Sequence, residues 1–384
     1  MKKSETLLLA VFMTAISLSY AFFNQPLLIL VLLYNYALLF YMYKIGVFAG
    51  NHGVAKNSLS ILIAVMLLLL PLAVYKSIYA VYFIFSSMAG IVLAYAVSSR
   101  PYLASTALRL TLVTIQLLIL VYIAVFFKED SFPLENILGG AASSNVVTSF
   151  VVLIQSAYIA ALFVDEKKAA WKTTLCTLLI CLVGYGRGSI IAAIALVLIV
   201  FSLMLVMRTK KNWGFFFFAR VAAVFIAILS LVYFSSDIFY LAQEKTKLGS
   251  GFVDESRLRM IFDYVHKIDG LSLIVGAGYE GTSIVNEFDG NPHNSLIRAH
   301  HLYGVFYLAV LMFISLIAIF AAGGIGRSVL LAALLGVVVF RAFSEPIIFP
   351  TPLDFYYFII IFLFMRKASA QSSCVRKLGV HQVC

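Results

Sequence analysis

Charge is scarce in this chain. Asp, Glu, Lys and Arg make up only 12% of its 384 residues and hydrophobic types 63%, against roughly a quarter charged in soluble domains. That imbalance excludes a soluble enzyme, and it removes the usual meaning of a net charge of +11: in a membrane protein basic residues record topology rather than nucleic-acid binding. Alternation is missing as well. The apolar runs are long and unbroken, which excludes barrel strands and leaves helices, whose backbone satisfies its own hydrogen bonds in lipid. Cysteine occurs four times, with Cys176 and Cys181 in an apolar stretch, Cys374 and Cys384 near the end, and no paired ligand spacing. Neither a disulfide framework nor a zinc site is expected. A Ser-His-Asp pattern, a phosphate-loop motif, a dinucleotide fingerprint and an internal repeat are all absent. The run Leu7 to Phe23 after Met1-Lys2-Lys3 lacks a small-residue cleavage site, so it is expected as a first, uncleaved span.

What remains is an all-α polytopic membrane protein. Stretches of about 20 apolar residues suffice to cross a bilayer. They are expected near 5–23, 26–43, 58–75, 78–97, 106–127, 147–164, 173–186, 189–207, 215–235, 302–322, 328–343 and 354–366, about twelve transmembrane helices in a single integral membrane domain, 1–384. With the N-terminus inside, the inner segments collect 18 of the 28 basic residues and three of the 17 acids, so the positive-inside rule fixes the orientation. Both termini are then expected in the cytoplasm. Residues 236–301 form one large outside loop, and a loop of that length is where function is expected. Within it, Asp254 to Val265 reads as a short amphipathic helix, Gly276-Ala277-Gly278 as a break, and Pro292-His293-Asn294 as the end of a polar stretch.

Several residues on that outer side could carry chemistry. Arg187 sits in Gly186-Arg187-Gly188 between two spans, where glycines let backbone N–H groups and a guanidinium approach an anion. A helix-end arginine snorkelling to the interface is the plainer reading. Arg341 lies at the outer end of a span with Glu345 one turn later, and an i,i+4 ion pair would account for it without a ligand. Arg257 and Arg259 are two apart on the loop helix, so their side chains diverge and one at most faces a shared site. Arginine suits phosphate because its fork makes two parallel charge-assisted hydrogen bonds. His293, His300 and His301 cluster where the loop re-enters the membrane. Imidazole can move a proton near neutral pH, and adjacent His300 and His301 point to different faces, which favours a single working histidine, His293, over a metal site. The acids Asp254, Asp263, Asp269, Glu280, Glu287 and Asp289 could include a glycosidase-like pair.

The order of these features resembles the O-antigen polymerase and O-antigen ligase superfamily. The chain has Gly186-Arg187-Gly188 between two spans, Ser256-Arg257-Leu258 on the loop helix, Val275-Gly276-Ala277-Gly278-Tyr279 at the break, and His293-Asn294-Ser295-Leu296 before the next span, with Gly304 beyond it. The resemblance covers roughly residues 180 to 320. It implies a bacterial inner-membrane, metal-independent glycosyltransferase without cofactors, acting at the periplasmic face on an undecaprenyl-diphosphate-linked oligosaccharide. Carried over position by position, Arg187 and Arg257 hold the diphosphate and His293 orients or deprotonates the acceptor hydroxyl. Arg341, which rests on its location and not on the motif, is an added candidate for substrate binding, and Arg259, Asn294, Arg298 and Tyr279 are further candidates. Gly304-Val305-Phe306-Tyr307 places tyrosine where the ligase pattern has threonine, which favours a polymerase, acting on a lipid-linked repeat unit, over a ligase, acting on lipid A core. A chain-length regulator, a flippase and membrane lipid are the expected partners, and no nucleic acid is expected. A transporter of an anionic lipid is the competing class, but repeated halves and midplane charges are not evident in the sequence.

Overall fold

The computed structural model describes residues 3–22, 25–44, 53–126, 134, 144–184, 186–209 and 255–366. The described residues form helices and no strand. In chain order these are α1 (Lys3–Phe22), α2 (Gln25–Lys44), α3 (Gly53–Lys76), α4 (Ile78–Ser98), α5 (Pro101–Phe126), α6 (Ser144–Glu166), α7 (Trp171–Val183), α8 (Arg187–Thr209), α9 (Glu255–His266), α10 (Gly270–Val275), α11 (Ser283–Asn286), α12 (Ser295–Ala321), α13 (Ile325–Ser344) and α14 (Asp354–Met365). Seven of them, α3 to α6, α8, α12 and α13, are long and apolar enough to cross a membrane, and the protein is membrane-embedded. A helix stands at each expected span except 215–235, which lies outside the described residues together with 236–254 of the expected loop.

The last described helix, α14, occupies the middle of the bundle. All twelve residues of α14 are buried, enclosed by α4, α6, α12 and α13. Phe362 meets Tyr95 of α4 edge-on at 5.6 Å and Phe364 stacks on Phe163 of α6 at 6.1 Å. Twelve residues rise only about 18 Å, short of the roughly 30 Å hydrocarbon layer. The non-helical segment 345–353 precedes α14 and runs buried from the end of α13 to Asp354. Irregular backbone at such depth persists only where its polar groups find partners inside the protein. The Asp354 carboxylate accepts from the Phe349 N–H at 2.8 Å, the Thr351 N–H at 3.2 Å and the Ser87 hydroxyl of α4. Ser295 at the start of α12 completes the clamp: its hydroxyl donates to the Glu345 carbonyl at 2.7 Å and accepts from the Ile348 N–H at 3.2 Å.

The described part of the expected loop is a small folded unit. Met260 and Tyr264 on one face of α9 pack with Ala277, Ile284 and Ile297. The loop was expected to end at His301, but α12 begins at Ser295, because the Asn294 side-chain oxygen accepts from the Leu296 and Ile297 N–H groups at 2.8 and 3.1 Å and satisfies donors that a helix start leaves open. The unit is locked to α12 by two glycines that admit backbone against backbone. A Cβ on Gly276 would strike the His300 and His301 carbonyls, and one on Gly304 would strike the Ile274 carbonyl. At Gly304 (φ 68°, ψ −170°) α12 kinks, a conformation essentially confined to glycine. Lys76, at the end of α3, caps the joint by donating to the Gly276 and His301 carbonyls, both at 2.8 Å.

Candidate functional site

The site gathers where α8 begins, α13 ends and the loop unit sits. Pro346 explains its centre. A residue before proline is pushed out of the helical region, so α13 stops at Ser344 and Glu345 turns extended (φ −152°, ψ 143°). The i,i+4 ion pair expected between Arg341 and Glu345 therefore does not form as a contact. The Glu345 carboxylate, 1% exposed, instead takes Arg257 of α9 at 3.1 Å on one oxygen and faces His293 Nδ1 at 3.7 Å with the other. Arg257 also donates to the Ser344 carbonyl at 2.6 Å. A buried carboxylate without a partner is strongly unfavourable, and one fully hydrogen-bonded charge offsets much of that cost.

His293 is held by its backbone as well as its ring. Its φ of +43° is uncommon for a side-chain-bearing residue and is found most often in turns and at functional positions. The Asn291 side-chain oxygen accepts from the His293 N–H at 3.0 Å, and Phe288 packs edge-on to the ring at 5.7 Å. Nδ1 is buried with no hydrogen-bond partner within 3.5 Å.

Arg341 is the second cation, 2% exposed. It donates to the Ser344 hydroxyl at 2.7 Å and to the Asn145 carbonyl at 3.4 Å, and also reaches the Ser149 hydroxyl. None of these partners is a carboxylate, and its Nε is buried without a partner. The start of α8 lies against it: a Cβ on Gly188 would strike the Arg341 guanidinium and come within 3.1 Å of the Ser344 hydroxyl. Arg187, half-buried, is the first residue of that helix. The N-termini of α6 and α8, each the positive end of a helix dipole, thus meet at Arg341.

An apolar cavity lies further along α8 and α13, with none of these polar residues in its lining. It holds about 280 Å³ between α8 and α13, lined by Ile191, Ala195, Ile199, Ala333, Gly336 and Phe340 among others. Gly336 has no atom within 4 Å of where a Cβ would stand.

The remaining sequence candidates have other neighbours. Arg259 diverges from Arg257, as their spacing implies, and pairs with Glu287 at 3.2 Å on an exposed edge. The Asn294 side-chain oxygen is committed to capping α12. Arg298 donates to the Ile348 carbonyl at 3.2 Å and lies 5.7 Å above the Phe83 ring, bracing the buried segment. Tyr279 stacks on His301 at 3.8 Å and meets Tyr264 at 5.7 Å. Burial pushes the Tyr264 phenol well above its ordinary range, so it stays protonated and donates to His300 Nδ1 at 2.7 Å, leaving His300 Nε2 to donate to the Leu273 carbonyl at 3.1 Å. His301 turns the other way, its Nδ1 donating to the Ala277 carbonyl at 2.6 Å.

The loop acids also have local tasks. Asp263 binds the Ser283 hydroxyl at 2.6 Å and its N–H at 3.1 Å, and these bonds hold its carboxyl below the usual range. Asp269 caps α10 through the Ser272 N–H at 2.7 Å, with the same consequence. Asp254 lies outside the described residues, and among the described ones no three His, Cys, Asp or Glu side chains meet as a metal-binding group. Sequence reasoning missed Glu345 as the hub, and the signal that could have found it was the Glu345-Pro346 pair. No protein-family model and no curated protein matches this chain.

Proposed function

We propose that the protein is an inner-membrane glycosyltransferase of the O-antigen polymerase kind, with about twelve spans and its site at the periplasmic face. It would join an undecaprenyl-diphosphate-linked glycan to a lipid-linked acceptor repeat unit. The observation that carries this reading is the convergence of Arg257 and His293 on one buried carboxylate, Glu345, beside buried Arg341, with an apolar groove further along α8 and α13. A diphosphate lipid is a doubly charged head on a hydrocarbon tail. Arginine forks match the head, and a groove open along two helices matches the tail.

In this reading the acceptor hydroxyl attacks the anomeric carbon as the bond from that carbon to the diphosphate oxygen breaks. The hydroxyl proton passes to the His293 Nε2, and Glu345, facing Nδ1, stabilises the imidazolium that forms. Arg187, Arg257 and Arg341 compensate the charge that grows on the leaving diphosphate.

The glycan profile of a deletion strain is the test. A single repeat unit on lipid A core, restored to long chains by the wild-type gene and not by His293→Ala, is the expected result. Lipid-linked polymer without attachment to core would make the protein a ligase. An unchanged profile would remove glycan transfer altogether.

A further inference from the structure

The loop unit carries its apolar residues on two sides, and only one of them is buried. Met260 and Tyr264 of α9 face the unit's core, while Leu258, Phe262 and Val265, at i, i+4 and i+7, form a second stripe that is exposed, Phe262 by 54%. No residue of α10 is buried, and Leu271, Leu273 and Ile274 are exposed, Leu271 by 71%. A water-facing loop rarely displays so many large apolar side chains together.

The level at which α10 is anchored identifies what covers them. Helix α12 runs from Ser295 to Ala321 and is broken by the kink at Gly304, and about 20 residues, the stretch from there to its end, fill the hydrocarbon layer. Its final stretch, beginning near Gly304, is therefore the lipid-crossing part, and the residues before it stand in the headgroup layer. The Ile274 carbonyl packs on Gly304 itself, and Lys76 ties Gly276 to the end of α3. Helix α10 thus sits at the hydrocarbon boundary. Next to that anchor, the turn from α3 to α4 exposes Tyr75 by 86%, together with Tyr79 and Ile78, side chains suited to an aromatic belt. Glu255, Arg259 and His266 form a polar edge beside the apolar stripe of α9, the division of an interfacial helix.

We propose that α9 and α10 lie in the interfacial layer of the membrane, with Leu258, Phe262, Val265, Leu271, Leu273 and Ile274 among the lipid acyl chains. Arg257 is on the same helix, so its guanidinium is held at headgroup depth. The inference rests on membrane embedding and not on the glycosyl-transfer reading.

The test uses the full chain in nanodiscs of phosphatidylethanolamine and phosphatidylglycerol, with the four native cysteines replaced by alanine. A polarity-sensitive fluorophore on Phe262→Cys or Leu271→Cys should emit in the blue and be quenched roughly twofold by lipids bearing a nitroxide near the headgroup. Water-like, unquenched emission from Phe262→Cys and Leu271→Cys overturns the proposal. As a check that needs no substitution, wild-type protein is irradiated with phospholipid carrying an acyl-chain diazirine. Adducts on peptides covering 258–274 support it, whereas adducts confined to spanning helices overturn it.

Discussion

Glu345 couples two side chains that arrive from different elements, Arg257 from α9 and His293 from the turn before α12. Glu345→Gln keeps the shape and an acceptor for Arg257 but removes the charge that an imidazolium needs. Transfer by purified protein should fall about a hundredfold, in the range lost when proton transfer is impaired, while thermal unfolding in detergent stays close to wild type. Gly188→Ala acts on the neighbouring cation. Its methyl would displace the Arg341 guanidinium, which is buried and hydrogen-bonded and so has no free volume to move into. Long-chain glycan should disappear from a complemented strain while membrane levels of the protein persist, and normal chain lengths would show that Arg341 has no part in transfer. At this scale the sequence singled out several residues that the structure brings together and misread some of their relations. Arg257, His293 and Arg341 converge on one end of the bundle, but the Arg341 to Glu345 spacing was read as helical although Pro346 ends the helix between them. Asn294 beside His293 looked like a ligand, and its side-chain oxygen caps α12.

Among the elements, the joint between α10 and α12 is the tightest. Gly304→Ala would meet the Ile274 carbonyl and also force a side chain into a backbone region reserved for glycine. Together these should cost about 3 kcal/mol, read as a lower unfolding temperature. Gly323→Ala makes the comparison, since Gly323 has positive φ but open space around it, so it should cost only the backbone strain, about 1–2 kcal/mol. The loop unit should also respond to acid. Asp263 and Asp269 titrate below the ordinary value of 3.8 when folded, so each bound carboxylate contributes stability that is fully present above that value and is lost as pH falls through the lower folded one. Amide exchange in 255–290 should therefore accelerate below about pH 4 relative to the spanning helices, and equal acceleration throughout would count against a separate loop unit. The period of α9 was legible because an amphipathic helix writes its faces into its sequence. The place of α14 was legible from its apolar run, but the buried segment before it was not. Hydropathy reports how apolar a stretch is, and a chain that descends irregularly through protein is as apolar as one that crosses as helix.

Across the whole molecule, the two ends of the bundle hold different charges in different settings. Arg100 pairs with Glu5 at 3.4 Å, and Arg327 reaches the Arg366 carbonyl at the far end of α14, whereas Arg257, Arg298 and Arg341 surround the start of the buried segment. The first three of these basic residues were assigned to the inner face by charge counting and the last three to the outer, a division that needs only the chain's topology. The groove between α8 and α13 was beyond such counting, because it depends on which small residues two distant helices present to each other. Gly336 lines it and leaves room for a side chain. Gly336→Leu should therefore fold at least as well as wild type, since leucine also favours the helix by nearly 1 kcal/mol, while filling space a polyprenyl tail would use. The expected kinetics are a half-saturating donor concentration raised about tenfold, the loss of roughly 1.4 kcal/mol of binding, with turnover at saturation little changed, because the substitution is remote from Arg341 and His293. A water-soluble donor with a shortened tail should lose much less than the full-length one. An equal loss for both would mean that the groove does not hold the lipid, and that the donor reaches the arginines by another face.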